Sequence, residues 1–141
     1  MTTPSTGTDI VRSVPDIDYL DPHLFTDLGI VQTVLAGDTV YVSGIAPLTG
    51  GADGLDIVST VFTDQLVYTL GVLERSLQAV GAHRSGLVAW TIYTTDMPAL
   101  AAAAPILRDW VGEHPPTSTW VGCAGLIHPE QQLELTATAV R

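Results

Sequence analysis

The sequence predicts an α+β fold, one sheet with helices covering a single face. Three observations carry that reading. Residues 132–141 set Leu133, Leu135, Ala137 and Ala139 against Glu134, Thr136, Thr138 and Val140, the period of a strand buried on one side. Phe62, Leu66, Leu70, Leu73, Leu77 and Val80 recur at steps of three and four, which makes one apolar stripe along a long helix. The periodic segments follow one another as strand, strand, helix, strand, helix, strand, strand, with no internal repeat or composition break.

Composition bounds the function. A chain of 141 residues with 46% hydrophobic content suits one domain with a real core. Fifteen acids face five bases, all of them arginine, for a formal charge of −10. Nucleic-acid binders displace counterions with a cationic surface, so this balance argues against a nucleic-acid partner, and against an anionic membrane surface for the same reason. A single cysteine, Cys123, precludes an internal disulfide and fits a reducing compartment. The start MTTPSTGTDIV has neither a basic cluster nor an apolar run, and no stretch reaches membrane-spanning length. The expected location is cytoplasmic.

The elements follow in order. Met1–Gly7 is Thr/Ser/Pro-rich and reads as a frayed end. Residues 9–26 mix acids with Ile10, Val11, Ile17, Tyr19, Leu24 and Phe25, and are expected to pack on the body as an irregular or partly extended lead-in. The division is thus a lead-in over 1–28 and a domain over 29–141. Gly29–Ala36 and Thr39–Ser43 read as two strands joined by a tight Gly37-Asp38 turn. Leu48–Gly54, rich in glycine, reads as a mobile loop. Ser59 or Thr60 is placed to cap the long helix, and Gly81 to end it. Leu87–Thr94 is a strand with Val88, Trp90 and Ile92 on one face. A second helix should start at Asp96-Met97-Pro98 and run to about Val111, kinked near Ala101 by Pro105. Pro115-Pro116 bars helix from Thr117–Cys123, a β-branched and aromatic strand. The last two strands then read as partners across the loop Gly125–Gln131, setting Glu134 opposite Ser118-Thr119-Trp120.

The chain at this point resembles the Rid (YjgF-like, YER057c/UK114) proteins. The resemblance lies in VLAGDTVYVSGIAPL, the helix ending AVGA, VAWTIYTTDM, EHPPTSTWVGCAGL and LELTATAVR, in that order, from about Gly29 to Arg141. It implies a chorismate-mutase-like sheet of about five to six strands with two helices on one face, closing as a homotrimeric barrel with ligand clefts between subunits. It also implies hydrolysis of small imines and enamines to carbonyl compounds and ammonia.

Carried over position by position, the resemblance puts the family's water-activating glutamate at Glu134. The carboxylate-binding arginine falls at Ser118, the pocket tyrosine at Ile30 and the pocket asparagine at Ala104. The small residue two past the arginine becomes Trp120. The family glycine is retained at Gly44 and followed by Ile45. A hydroxyl supplies neither the charge nor the fork of a guanidinium. The expected cleft therefore combines Glu134 as acid/base with Ser118, Thr119, Trp120, Ile30, Gly44, Ile45, Ala104 and Cys123 as binding positions. It is more apolar than the family's and suits a larger or less charged carbonyl, imine or enamine metabolite. Hydrolysis, tautomerisation, dehydration or cyclisation could follow, with a non-catalytic trimeric binding module or a deaminase with a substitute anchor as alternatives. A metal site at His114 and His128 would need a third ligand such as Glu113 or Glu130, and loop histidines are usually just solvated, so neither metal nor cofactor is expected.

Overall fold

The computed structural model describes residues 9–141; the Thr/Ser/Pro-rich start lies outside them. Among the described residues, one six-stranded sheet carries the fold. Its strands are β1 (Ile10–Ser13), β2 (Thr33–Ala36), β3 (Thr39–Ile45), β6 (Leu87–Thr94), β7 (Thr117–Gly122) and β8 (Leu133–Val140), in the order β1-β2-β3-β8-β6-β7. A small hairpin of β4 (Leu48–Gly51) and β5 (Gly54–Ile57) stands apart. The helices are α1 (Pro22–Leu28), α2 (Phe62–Ala79), α3 (Met97–Ala102) and α4 (Ala104–Val111).

The last strand in the chain is central in the sheet. Strand β8 runs antiparallel to both β3 and β6, so those two are parallel, and the chain between them passes through the β4–β5 hairpin and α2. Strand β7 pairs parallel with β6, and α3–α4 supply the crossover a parallel pair requires. The core lies between the sheet and α2. Leu133, Leu135, Ala137 and Ala139 from β8 meet Leu66, Leu70, Leu73 and Leu77 from α2, all buried. Each such leucine contributes ~1.5–3 kcal/mol relative to exposure.

The lead-in packs on the body in partly extended form, β1 adding an antiparallel edge to β2. Several expectations change. Helix α1, which the sequence reading does not include, follows β1. Asp21 caps α1 by accepting the His23 N–H at 3.0 Å, and Gly29 ends it in the left-handed conformation at φ 70°. Gly29 therefore belongs to a helix end, and the first strand of the Gly37-Asp38 hairpin shortens to Thr33–Ala36. The presumed mobile loop is the β4–β5 hairpin. At α2 the N-cap position is Val61, without a side-chain cap of its own, while Ser59 Oγ accepts the Val61 N–H at 3.0 Å and donates to Asp64 at 2.8 Å. Gly81, at φ 78°, follows the helix end as its spacing predicted.

On β6 the pairing slips between Leu87 and Ala89, so Val88 is exposed and Leu87 joins Trp90 and Ile92 inside. Pro105 does not kink one helix at Ala101. Two short helices meet at Ala103 instead, and Pro105 occupies the first turn of the second, where its missing N–H costs nothing. Strands β7 and β8, expected to pair, are separated by β6. A parallel crossover and an antiparallel return both use β6, and spacing along the chain does not encode that order.

Candidate functional site

Glu134 stands on the face of β8 turned away from α2, between Leu133 and Leu135, which face the core. Its neighbour on β6 is Tyr93. Its surroundings on β3 come from a bulge: Val42 pairs with Ala137 and Ile45 with Leu135, so Ser43 and Gly44 together oppose one residue. The bulge returns Ile45 to the core face and lays the bare α-carbon of Gly44 against the glutamate. A Cβ on Gly44 would lie 2.5 Å from Glu134 Oε2 and 3.0 Å from its Cδ. The other oxygen, Oε1, accepts a hydrogen bond from Gln131 Nε2 at 3.3 Å, and the same amide donates to Leu133 O at 3.0 Å.

Gln131 is only 2% exposed, and its loop is fastened from below. Gln65 of α2, fully buried, donates to Ser59 O at 2.8 Å and Glu130 O at 2.9 Å, and accepts the Gln132 N–H at 2.8 Å. Buried amides with every donor and acceptor used rigidify what they touch. The carboxylate orientation is thus set by Gly44 on one side and by a loop tied to α2 on the other.

A cavity of about 490 Å³ opens on this carboxylate. Its walls are apolar: Leu20, then Leu24, Phe25 and Leu28 of α1, then Ile30, Ala46, Leu48, Leu55, Leu126 and Ile127. The polar boundary is Ser43, Gly44 and Glu134. That makeup is typical of a small-molecule site. Helix α1 exists here because Asp21-Pro22 starts it and Gly29 stops it; its buried contact is Phe25. Behind it, Tyr19 Oη accepts the Ala46 N–H at 2.8 Å. Burial pushes the Tyr19 hydroxyl pKa well up from its ordinary value; the Ala46 hydrogen bond opposes this, and the nearby Tyr68 and Glu134 add to it.

The positions expected at one cleft divide into two groups. Glu134, Gly44 and Ile30 share this cavity; Ser118, Thr119, Trp120, Ala104 and Cys123 do not line it. Ile45 is fully buried in the core. Parallel pairing sets Ser118 beside Trp90 and Trp120 beside Ile92, which puts both on the helix side of the edge strand β7. There Ser118 Oγ accepts the Trp90 indole N–H at 2.9 Å, and Trp90 stacks on Trp110 with centroids 5.8 Å apart. Thr119, beside Thr91, lies on the Glu134 side but two strands away. Ala104 opens α4, and Cys123 follows β7, its N–H donating to Thr94 O at 2.9 Å. Sequence reasoning missed Leu24 and Leu28 as walls and Gln131 as the partner of Glu134. An Asp-Pro start and a Leu-Gly stop around Leu24-Phe25 were the available signal for α1.

Residues 28–141 match the family model described as endoribonuclease L-PSP. Among solved structures, a YjgF/YER057c/UK114-family protein of Mycobacterium tuberculosis superposes with a TM-score of 0.78 at 20% identity, covering 94% of this chain and 100% of that one. Yeast Mmf1 gives 0.80 at 19% identity, covering 94% and 99%. YyfA of Yersinia pestis, described as a member of the conserved Rid family, gives 0.77 at 18% identity, covering 94% and 100%. No curated protein sequence matches the chain.

Proposed function

Since the chain belongs to the endoribonuclease L-PSP family, the YjgF/YER057c/UK114 or Rid proteins, we propose that it transforms a small carbonyl, imine or enamine metabolite at Glu134. Membership supports a small-molecule-binding or deaminase-like protein. The observation that carries the finer reading is a carboxylate held on an apolar cavity wall by Gly44 and Gln131. Such a group is a positioned acid/base. For an imine, water adds to the C=N carbon while Glu134 takes its proton. That proton passes to nitrogen to give a carbinolamine, whose hydroxyl proton is then carried to nitrogen by the same carboxylate as the C–N bond breaks, leaving a carbonyl compound and a free amine or ammonia. In an enamine the same carboxyl first protonates the β-carbon.

The active assembly in this reading is a homotrimer. Ser118, Thr119, Trp120, Ala104 and Cys123 of one copy then complete the cleft that Glu134, Gly44 and Ile30 begin on the next. Trp120, 36% exposed on the open edge strand, is suited to stack on a planar substrate. RNA is disfavoured as the substrate despite the family's name. The net charge is −10, Arg84, Arg108 and Arg141 pair with Glu74, Asp109 and Asp38, and Arg75 binds the carbonyls of Ile17 and Asp18.

A second reading is a binding module without chemistry, favoured by Ser118 already serving Trp90 rather than a ligand. One experiment separates the two. Freshly generated imines of increasing size are supplied, and ammonia and carbonyl release are measured with Glu134→Gln alongside. The catalytic reading expects turnover to fall by about a hundredfold or more in the variant while binding persists. Binding without turnover in either protein gives the second reading its place, and equal turnover in both would overturn Glu134 as the acid/base.

A further inference from the structure

We propose that the ligand of the Glu134 cavity is a lipophilic cation: a protonated amine or iminium nitrogen on an apolar skeleton, with no carboxylate. The inference rests on the reading that this cavity is the binding site, and it adds the charge class of what binds there.

The argument starts from the charges around the cavity. Glu134 is the single acidic or basic side chain among its lining residues, and none of the five arginines lines it. Their guanidinium groups are engaged elsewhere or stand outside. Arg75 gives Nε to Ile17 O at 2.8 Å, Arg84 and Arg108 face Glu74 and Asp109, Arg141 lies 3.9 Å from Asp38, and Arg12 sits on edge strand β1. The elements that form the walls carry aspartates and neither lysine nor arginine. Helix α1 carries His23 and Asp27 and is capped by Asp21. The β4–β5 hairpin, which supplies Leu48 and Leu55, carries Asp53 and Asp56. A ligand carboxylate entering here meets the Glu134 carboxylate inside and, on the elements that form the walls, aspartates with no lysine or arginine to offset them. Like charges at close range disfavour that strongly where apolar walls exclude water.

The second part of the argument is an unused acceptor. Gln131 serves Oε1, and among the described residues no hydrogen bond reaches Oε2, which rests against the Gly44 α-carbon. A neutral apolar ligand would cover this oxygen without offering a donor, which costs free energy. An N–H on a cationic nitrogen supplies a charge-assisted hydrogen bond at that atom, about twice as strong as a neutral one. Around it, Leu24, Phe25, Leu28, Ile30, Leu55 and Ile127 offer only apolar contact to the rest of the molecule. A volume of about 490 Å³ accepts a mono- or bicyclic skeleton.

The test uses the full-length protein and three ligands of one shape: 2-phenylethylamine, 2-phenylethanol and 3-phenylpropanoate. Affinities are measured by calorimetry or ligand-observed NMR at low salt, for wild type, Glu134→Gln and Leu24→Trp, the last filling the cavity from α1. Circular dichroism checks that each variant is folded. The expected order is amine, alcohol, acid, with the amine about tenfold tighter than the alcohol. In Glu134→Gln that preference shrinks to about twofold, and Leu24→Trp abolishes binding. Equal affinities for amine and alcohol, both lost in Leu24→Trp, would overturn the cation inference and leave the cavity as the site. Tightest binding of 3-phenylpropanoate would do the same. Amine binding that survives Leu24→Trp would place the amine on the acidic surface and overturn the inference. Silence from all three ligands would remove both the inference and the site on which it rests.

Discussion

Gly44 earns its place through space rather than conformation. Its φ is not in the left-handed region, yet a methyl group on its α-carbon would press into Glu134 Oε2. The obstacle is the far end of a flexible side chain, so the fold can yield at little cost while the carboxylate cannot stay. Gly44→Ala is therefore expected to lower thermal stability by less than about 1 kcal/mol and to lower turnover or ligand affinity at least about tenfold. Melting temperature and binding measured on the same sample check the split; a large loss of stability with unchanged binding would contradict it. Tyr19 makes the second residue-scale prediction. Burial raises its folded pKa above the unfolded value of 10.0, and burial raises Tyr68 as well. Below pH 10 both states keep the proton and stability is unaffected. Above it the unfolded chain loses the proton first, so stability falls as pH rises. Urea unfolding between pH 8 and 11 should show that decline, and Tyr19→Phe should flatten it. The same variant should lose about 1 kcal/mol at all pH values, because Ala46 N–H is left without its acceptor.

At the scale of elements, α1 links sequence to site. It spans only seven residues, too few to hold alone, and depends on its ends and on Phe25. Gly29 closes it at φ 70°, and a Cβ there would meet nothing within 4 Å. Gly29→Ala thus isolates the backbone cost, about 1 kcal/mol. Gly29→Asn, which tolerates that conformation, should recover part of it in both unfolding and ligand binding. Elements of this kind mark where the sequence stops being legible. Helix α2 and strand β8 are long enough for their periods of 3.6 and 2 to repeat, and both were readable along with their buried faces. Helix α1, strand β1 and the two strands of the β4–β5 hairpin each hold four to seven residues, below the length at which a period declares itself. The pairing of β6 with both β7 and β8 was unreadable for a different reason, since strand order is a long-range property. That error mattered for the site. It joined Glu134 to Ser118 and Trp120 within one chain, whereas alternation on β7 turns those two side chains to the helix side.

For the molecule as a whole, the sheet face opposite the helices calls for a partner. Along it lie Thr39, Thr91, Thr117, Thr119, Thr136 and Thr138, with Tyr41, Tyr93, Val34 and Val140 among them. The charged residues on its six strands are Arg12 near one edge and Glu134 at the cavity. A sheet face meant for water ordinarily alternates toward charged residues and lysine, because an uncharged β-rich face invites association. This chain has 15 acids and 5 arginines and places almost all of them elsewhere. Three such faces closing on one another would bury the threonines and tyrosines together, and would bring the Trp120 edge of one copy toward the Glu134 cavity of the next. The expected mass in solution is accordingly three copies of the 14.9 kDa chain. Thr138 stands mid-face, opposite Tyr41 on β3 and Ala89 on β6. Thr138→Arg would bring three like charges together at the centre of the assembly, costing several kcal/mol. Light scattering should then find monomer at micromolar concentration, with far-ultraviolet dichroism unchanged because the helix-side core is untouched. If the cleft needs two copies, turnover or ligand binding should fall with the trimer and return as protein concentration is raised. A variant that is monomeric and fully active would show that the single-chain cavity is sufficient.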